Sequence, residues 1–159
     1  MLASGRGAVS AWSWWEEGWI PVSPDWEHLT QLLRGARQIA VVGLSPRPER
    51  PSHRVAAYLQ RAGYTVIPVN PCGGTILGER VYPDLTAAAA AAGPIDIVDI
   101  FRRSRFVSGL VDPILAVRPK LVWMQVGVRD DESARRLEAA GIAVVTDRCL
   151  AVDHQSLGG

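Results

Sequence analysis

Residues 38–59 read QIAVVGLSPRPERPSHRVAAYL, and the reading of the whole chain turns on them. Ile39-Ala40-Val41-Val42 is a short apolar run. It breaks at Gly43 into a loop holding Pro46, Pro48 and Pro51. From Ser52 the spacing becomes helical, with Val55, Tyr58 and Leu59 on one face. A strand, a glycine turn and a helix form the opening unit of a nucleotide-binding α/β sheet. Backbone N–H groups at the helix start lack intrahelical partners and carry the positive end of the helix dipole, so a phosphate is well placed there. An ordinary βα turn has the same outline.

The pattern repeats downstream. Tyr64 to Val69 reads as strand two and ends at Asn70-Pro71, followed by a turn-rich connection over 70–83. Thr86 leads six alanines, closed by Gly93-Pro94, which reads as a short helix. Ile95–Ile100 reads as strand three, Leu121–Met124 as strand four and Ile142–Val145 as strand five. Between them Phe106 to Leu115 repeats at helical spacing, and Pro113 inside it predicts a kink or a restart at Asp112. Asp130 or Asp131 caps a further helix, which Gly141 ends. Ahead of strand one, Ser23-Pro24-Asp25 reads as a helix start, with Leu29, Leu32 and Leu33 as its buried stripe. Residues 146–159 show little pattern. Strands that are apolar without alternation belong to a parallel sheet covered on both faces. The expected fold is α/β and Rossmann-like: a doubly wound, five-stranded parallel sheet of order 3-2-1-4-5 with helices on both faces.

The chain has 159 residues, enough for one domain. Residues 23–159 read as that domain. Residues 1–22 are a separate zone, because five of the six tryptophans fall within the first 26 residues. A poorly ordered extension is expected there, with a partner-docking arm as the alternative. Net charge is +1, which argues against a nucleic-acid binder. No apolar run is long enough to span a bilayer, and 1–22 lack the apolar core of a secretory signal, so the expected location is cytoplasmic. Cys72 and Cys149 make neither a disulfide framework nor a zinc set, and no metal site is expected.

Ligands of such sheets bind beyond the carboxyl ends of the strands, at the switch point beside strand one. The loops there carry Arg47, Arg50, His53 and Arg54, then Arg102, Arg103 and Arg105, then Arg129 and Arg148. The arginines among them are eight of the chain's 17 arginines and lysines, set against the acids Glu49, Asp130, Asp131 and Asp147, so an anionic ligand is favoured. A dinucleotide such as NAD would want a second and third glycine after Gly43, and an acid where strand two ends in Val69-Asn70-Pro71. Both are absent. No phosphate loop ending in Gly-Lys-Ser/Thr exists either.

The runs IAVVGLS (39–45), RPS (50–52), GY (63–64), PVNP (68–71), FRR (101–103), WMQ (123–125) and RC (148–149) occur in order. Together they resemble the small stand-alone CoA-binding proteins, relatives of the CoA-binding domain of the succinyl-CoA synthetase α subunit. The resemblance covers roughly residues 25–155. It implies that Gly43, Leu44 and Ser45, with the loop through Arg50, Pro51 and Ser52, cradle the pyrophosphate. His53 stands beside that loop as a further phosphate contact or a plain helix-start residue. Val69, Asn70 and Pro71 would line the adenosine side, Phe101, Arg102 and Arg103 would flank the ligand, and Gln125 and Gly127 would line the pantetheine arm. Relatives often carry a lysine just after the Asn-Pro pair, where this chain has Cys72. Arg47 or Arg50 is the expected substitute; otherwise discrimination for the 3′-phosphate weakens.

No nucleophile, base and orienting group form a recognisable set, and Asp99 within strand three reads as structural. The chain is therefore expected to bind coenzyme A or an acyl-CoA without catalysis. The alternatives are an NAD(P)-dependent or other nucleotide enzyme on the same fold, and a CoA-responsive interaction module. A protein partner or a homo-oligomer stays open.

Overall fold

Successive residues of a strand face opposite sides of a sheet, and here both sides are covered. In the computed structural model, which describes residues 25–157, strand β1 (Gln38–Val42) sends Ala40 and Val42 to one face and Ile39 and Val41 to the other. The expectations for residues 1–22, and for Ser23 and Pro24, lie outside the described residues.

The elements follow in alternation. Helix α1 is Trp26–Gly35, α2 Pro51–Arg61, β2 Thr65–Val69, β3 Thr75–Ile76, β4 Glu79–Arg80 and α3 Leu85–Ala92. Then come β5 Ile97–Ile100, two 3₁₀ turns (Ser104–Phe106 and Ser108–Leu110), α4 Val111–Val117, β6 Leu121–Met124, α5 Asp131–Ala139, β7 Ala143–Val145 and α6 Leu150–Ser156. One face of the sheet packs Val98, Ile100, Val122 and Met124 against Leu85 of α3, Ile114 of α4 and Leu137 of α5. The other packs Ile97, Trp123 and Val145 against Leu29 and Leu33 of α1, Val55 and Leu59 of α2, and Leu150 of α6. Burial on both faces is why the strands carry no polar alternation.

The fold class is the expected one, a parallel five-stranded Rossmann-like sheet, but the strand order differs. The order is β2-β1-β5-β6-β7, which in chain order of the five strands is 2-1-3-4-5 and not 3-2-1-4-5. Proline explains it. The Pro68 carbonyl points to the outer edge of β2, where it accepts from Tyr82 N–H at 3.0 Å. The proline nitrogen shares that side and has no hydrogen to give, so another ladder strand cannot pair fully there. An edge position tolerates this, and a central one does not. The chain covers the edge with Tyr82, whose carbonyl accepts from Asn70 N–H at 2.9 Å. Strand β5 pairs on the other side of β1, with Val42 opposite Ile100.

Smaller departures have local causes. The cap of α1 is Asp25, whose Oδ1 accepts from the N–H groups of Glu27 (3.1 Å) and His28 (3.3 Å). Asp84, one residue before Leu85, caps α3 through Ala87 N–H at 2.8 Å. The periodic segment from Phe106 is two 3₁₀ turns, and the α-helix restarts at Val111. Pro113 then lies in its first turn, where a missing N–H is harmless. The segment 70–83 contains the β3–β4 hairpin, turned by Leu77 (φ 53°) and Gly78 (φ 79°).

Candidate functional site

The observed order makes β1 and β5 neighbours, so the loops after them meet. The ends of β1, β2, β5 and β6 are tied into one surface by hydrogen bonds. Gly43 N–H donates to the Val69 carbonyl at 2.9 Å, and Asn70 Nδ2 donates to the Leu44 carbonyl at 2.8 Å. Phe101 N–H donates to the Val42 carbonyl at 2.8 Å, and Gln125 N–H to the Ile100 carbonyl at 3.3 Å. Ser104 Oγ donates to the Gly127 carbonyl at 3.3 Å and accepts from Arg129 N–H at 2.9 Å.

Gly43 sits at the centre with φ +87°. A Cβ there would lie 2.6 Å from the Phe101 carbonyl oxygen and 3.1 Å from Arg102 Cδ. The glycine therefore permits two strand ends to touch, besides turning the chain. Beyond it, Ser45 N–H donates to Ser52 Oγ at 3.0 Å, and Arg47 N–H to Ser45 Oγ at 3.1 Å. These bonds fix the loop onto the first turn of α2. They also engage the N–H groups of Ser45 and Arg47 internally. The side chain of Leu44 is fully buried in the core, and Val69 is buried too, so both reach a ligand only through backbone. Ser52 and Gln125 are buried, whereas Arg47, Arg50, Pro51, Pro71, Arg103 and Gly127 are exposed. Gly43, Ser45, His53, Asn70, Phe101 and Arg102 are half-buried.

The eight cations at this edge separate into two groups. Arg129 pairs with Asp131 at 2.9 Å, and Arg148 pairs with Asp153 at 2.6 Å. Arg148 is further held over the ring of Trp26 at 5.0 Å, so it fastens α6 and α1 to the sheet. Arg47, Arg50, Arg54, Arg102, Arg103 and Arg105 have no acidic partner among the described residues. Arg54 donates from Nη1 to the Glu49 carbonyl. All six follow β1 or β5, which places the unneutralised charge at the switch point itself.

One residue that pattern reading classed as structural is chemically unusual. Asp99 is fully buried in β5. Its Oδ1 accepts from Gln125 Nε2 at 2.7 Å, and its Oδ2 has no hydrogen-bond partner among the described residues. Burial pushes the carboxyl up to about 7 against the opposing pull of the Gln125 hydrogen bond. The bond fixes the orientation of the Gln125 side chain. An acid inside the apolar run IDIVDI is the sequence signal for it.

On the α2–α6 side, Tyr58 OH meets His154 Nδ1 at 2.6 Å, and burial lowers the pKa of His154. Cys72 is exposed, and its N–H donates to Asn70 Oδ1 at 2.8 Å. No group of three or more potential metal ligands occurs among the described residues, and no helix among them is long and apolar enough to cross a membrane.

A five-stranded parallel sheet covered on both faces, with a glycine turn and a helix start at its switch point, defines a Rossmann-like α/β domain. The chain belongs to the CoA binding domain family, whose model matches residues 37–155. It is 38% identical to the protein YneT of Bacillus subtilis over 132 residues, covering 83% of this chain and 96% of that one. A solved structure from Thermus thermophilus, cell-free ID.343, is 41% identical with a TM-score of 0.78, covering 82% of this chain and 97% of that one. The dinucleotide-forming acetyl-coenzyme A synthetase 1 of Ca. Korarchaeum cryptofilum shares the fold at 23% identity and a TM-score of 0.61. That match covers 73% of this chain and 27% of the synthetase.

Proposed function

We propose that the protein binds coenzyme A, or an acyl-CoA, beyond the carboxyl ends of β1, β2, β5 and β6, and that it acts as a binding protein in the cytoplasm and not as a catalyst. The observation that carries the reading is the set of six arginines in the segments that follow β1 and β5, none with an acidic partner among the described residues. Membership of the CoA binding domain family supports coenzyme A as the anion. In this reading the pyrophosphate lies against the Gly43–Ser52 loop and the first turn of α2. Asn70 and Pro71 flank the adenosine, Phe101, Arg102 and Arg103 close over the phosphates, and Gln125 and Gly127 border the pantetheine arm. Asn70 stands where an NAD site needs a carboxylate for the ribose hydroxyls, which counts against the dinucleotide alternative.

Calorimetry with CoA, NAD and NADP tests the reading: CoA is expected to bind and NAD is not. Binding of NAD without CoA would overturn it. Arg102→Ala is expected to weaken CoA binding by roughly 10- to 100-fold, the effect of losing one charge-assisted contact. An unchanged affinity would remove Arg102 from the site. Incubation with acetyl-CoA is expected to release no thiol, and turnover would contradict the non-catalytic role.

A further inference from the structure

Asp99 sits one residue inside the end of β5, opposite Val41 of β1 and Trp123 of β6. It alternates with Val98 and Ile100, which belong to one face of the sheet, and so shares the other face with Ile97 and Trp123. Helix α2 covers that face, and the loop from Gly43 leads into α2. Gln125 lies just beyond the ladder, is 3% exposed, and sends Nε2 back to Asp99 Oδ1 at 2.7 Å. Val126 and Gly127 after it are exposed, so Gln125 is the last buried residue before the rim.

An ionised carboxyl has no hydrogen to give. Facing it, the Gln125 amide has to turn Nε2 inward, which leaves Oε1 on the side away from Asp99. That oxygen has no hydrogen-bond partner among the described residues. An amide oxygen taken from water without a donor costs free energy, and a ligand N–H recovers it. A protonated Asp99 dictates no such orientation, because its O–H can donate to Oε1 and let the amide turn over. Burial raises the carboxyl to about 7, so both forms are present at neutral pH. The ionisable groups packed on this face are Tyr58, Tyr64 and Cys149, with Asp153 and His154 on α6. Asp153 pairs with Arg148 and His154 meets Tyr58, and none of the five bonds Asp99.

We infer that Asp99 is a positioning residue: through Gln125 it makes the site offer an amide oxygen, which selects a hydrogen-bond donor on the ligand. In coenzyme A that donor is an amide N–H of the pantetheine arm. The inference rests on the CoA reading above, in which Gln125 borders that arm. Binding then favours the ionised acid and drives a proton off Asp99. Plain burial of Asp99 by a ligand would do the reverse, raising its pKa and taking a proton up.

The test is calorimetry with CoA on wild type, Asp99→Asn and Gln125→Met near pH 7. Each titration is run in two buffers of different ionisation enthalpy, which counts the protons released on binding. Wild type is expected to release up to about half a proton more than Asp99→Asn, in which any protons from CoA itself still appear. Gln125→Met keeps the length of the side chain and has no amide oxygen. It is expected to bind CoA about tenfold more weakly and to lose the extra proton release. Equal release in wild type and Asp99→Asn overturns the inference and leaves the CoA reading standing, as does uptake in wild type relative to the variant. Unchanged affinity in Gln125→Met overturns it as well. If Gln125→Met does not fold, the proton comparison decides alone. Wild type that does not bind CoA overturns the CoA reading, and the inference with it.

Discussion

Gly43→Ala is expected to destabilise the protein by about 3 kcal/mol, from left-handed backbone strain and overpacking together. It is also expected to reduce CoA affinity more than about tenfold, since the turn positions the loop and Arg102. The added methyl would stand 2.6 Å from the Phe101 carbonyl oxygen, a backbone atom that cannot retreat without parting β5 from β1. Gly127 is the control. Its φ is +83°, but a Cβ there meets nothing within 4 Å. Gly127→Ala should therefore show only the conformational part, about 1 kcal/mol. Urea unfolding of both variants measures the difference. If Gly43→Ala costs no more than Gly127→Ala, the close approach of the strand ends is not tight.

The second large effect concerns pH. Asp99 titrates near 7 in the folded protein and from a reference of 3.8 when exposed. A carboxyl raised on folding favours the fold most below its unfolded pKa, and that advantage is lost as pH rises through the folded one. The contribution of Asp99 to stability is therefore expected to fall by about 4 kcal/mol between roughly pH 4 and pH 7, and to stay flat above. Other carboxylates titrate in the same range, so the comparison with Asp99→Asn isolates it. The variant is expected to gain about 4 kcal/mol relative to wild type between pH 4 and pH 8. Asparagine keeps an acceptor for Gln125 Nε2, so that contact survives. A wild-type-minus-variant difference that does not move with pH would mean that Asp99 ionises as an exposed acid does.

The parts that local chemistry dictates were legible in the chain. The turn at Gly43 and the five apolar runs give strands, helices and the sheet edge at which such folds bind ligands. The strand order was missed although Pro68 announced it, because the apolar pattern of β2 resembles that of a central strand. Helix α6 was missed for a different reason. Its buried face includes Asp153 and His154, which read as solvent-facing until Arg148 and Tyr58 are seen to partner them. Ion pairs with nearby Asp153 and Asp131 withdraw Arg148 and Arg129 from the cations counted at the edge. The acid inside the run IDIVDI signals a buried carboxyl, but that Asp99 Oδ2 lacks a partner among the described residues is seen only in the structure.

The unneutralised arginines also bear on how fast a ligand arrives. The chain carries a formal net charge of only +1, so from far away it exerts almost no pull on an anion. Six arginines without an ion pair among the described residues follow β1 and β5, and their field is felt within about one Debye length, about 8 Å at physiological salt. If coenzyme A binds as proposed, its capture is a matter of orientation: the anion is drawn in at that end of the sheet and ignored elsewhere. Added salt acts chiefly on the association rate and leaves the dissociation rate much less changed.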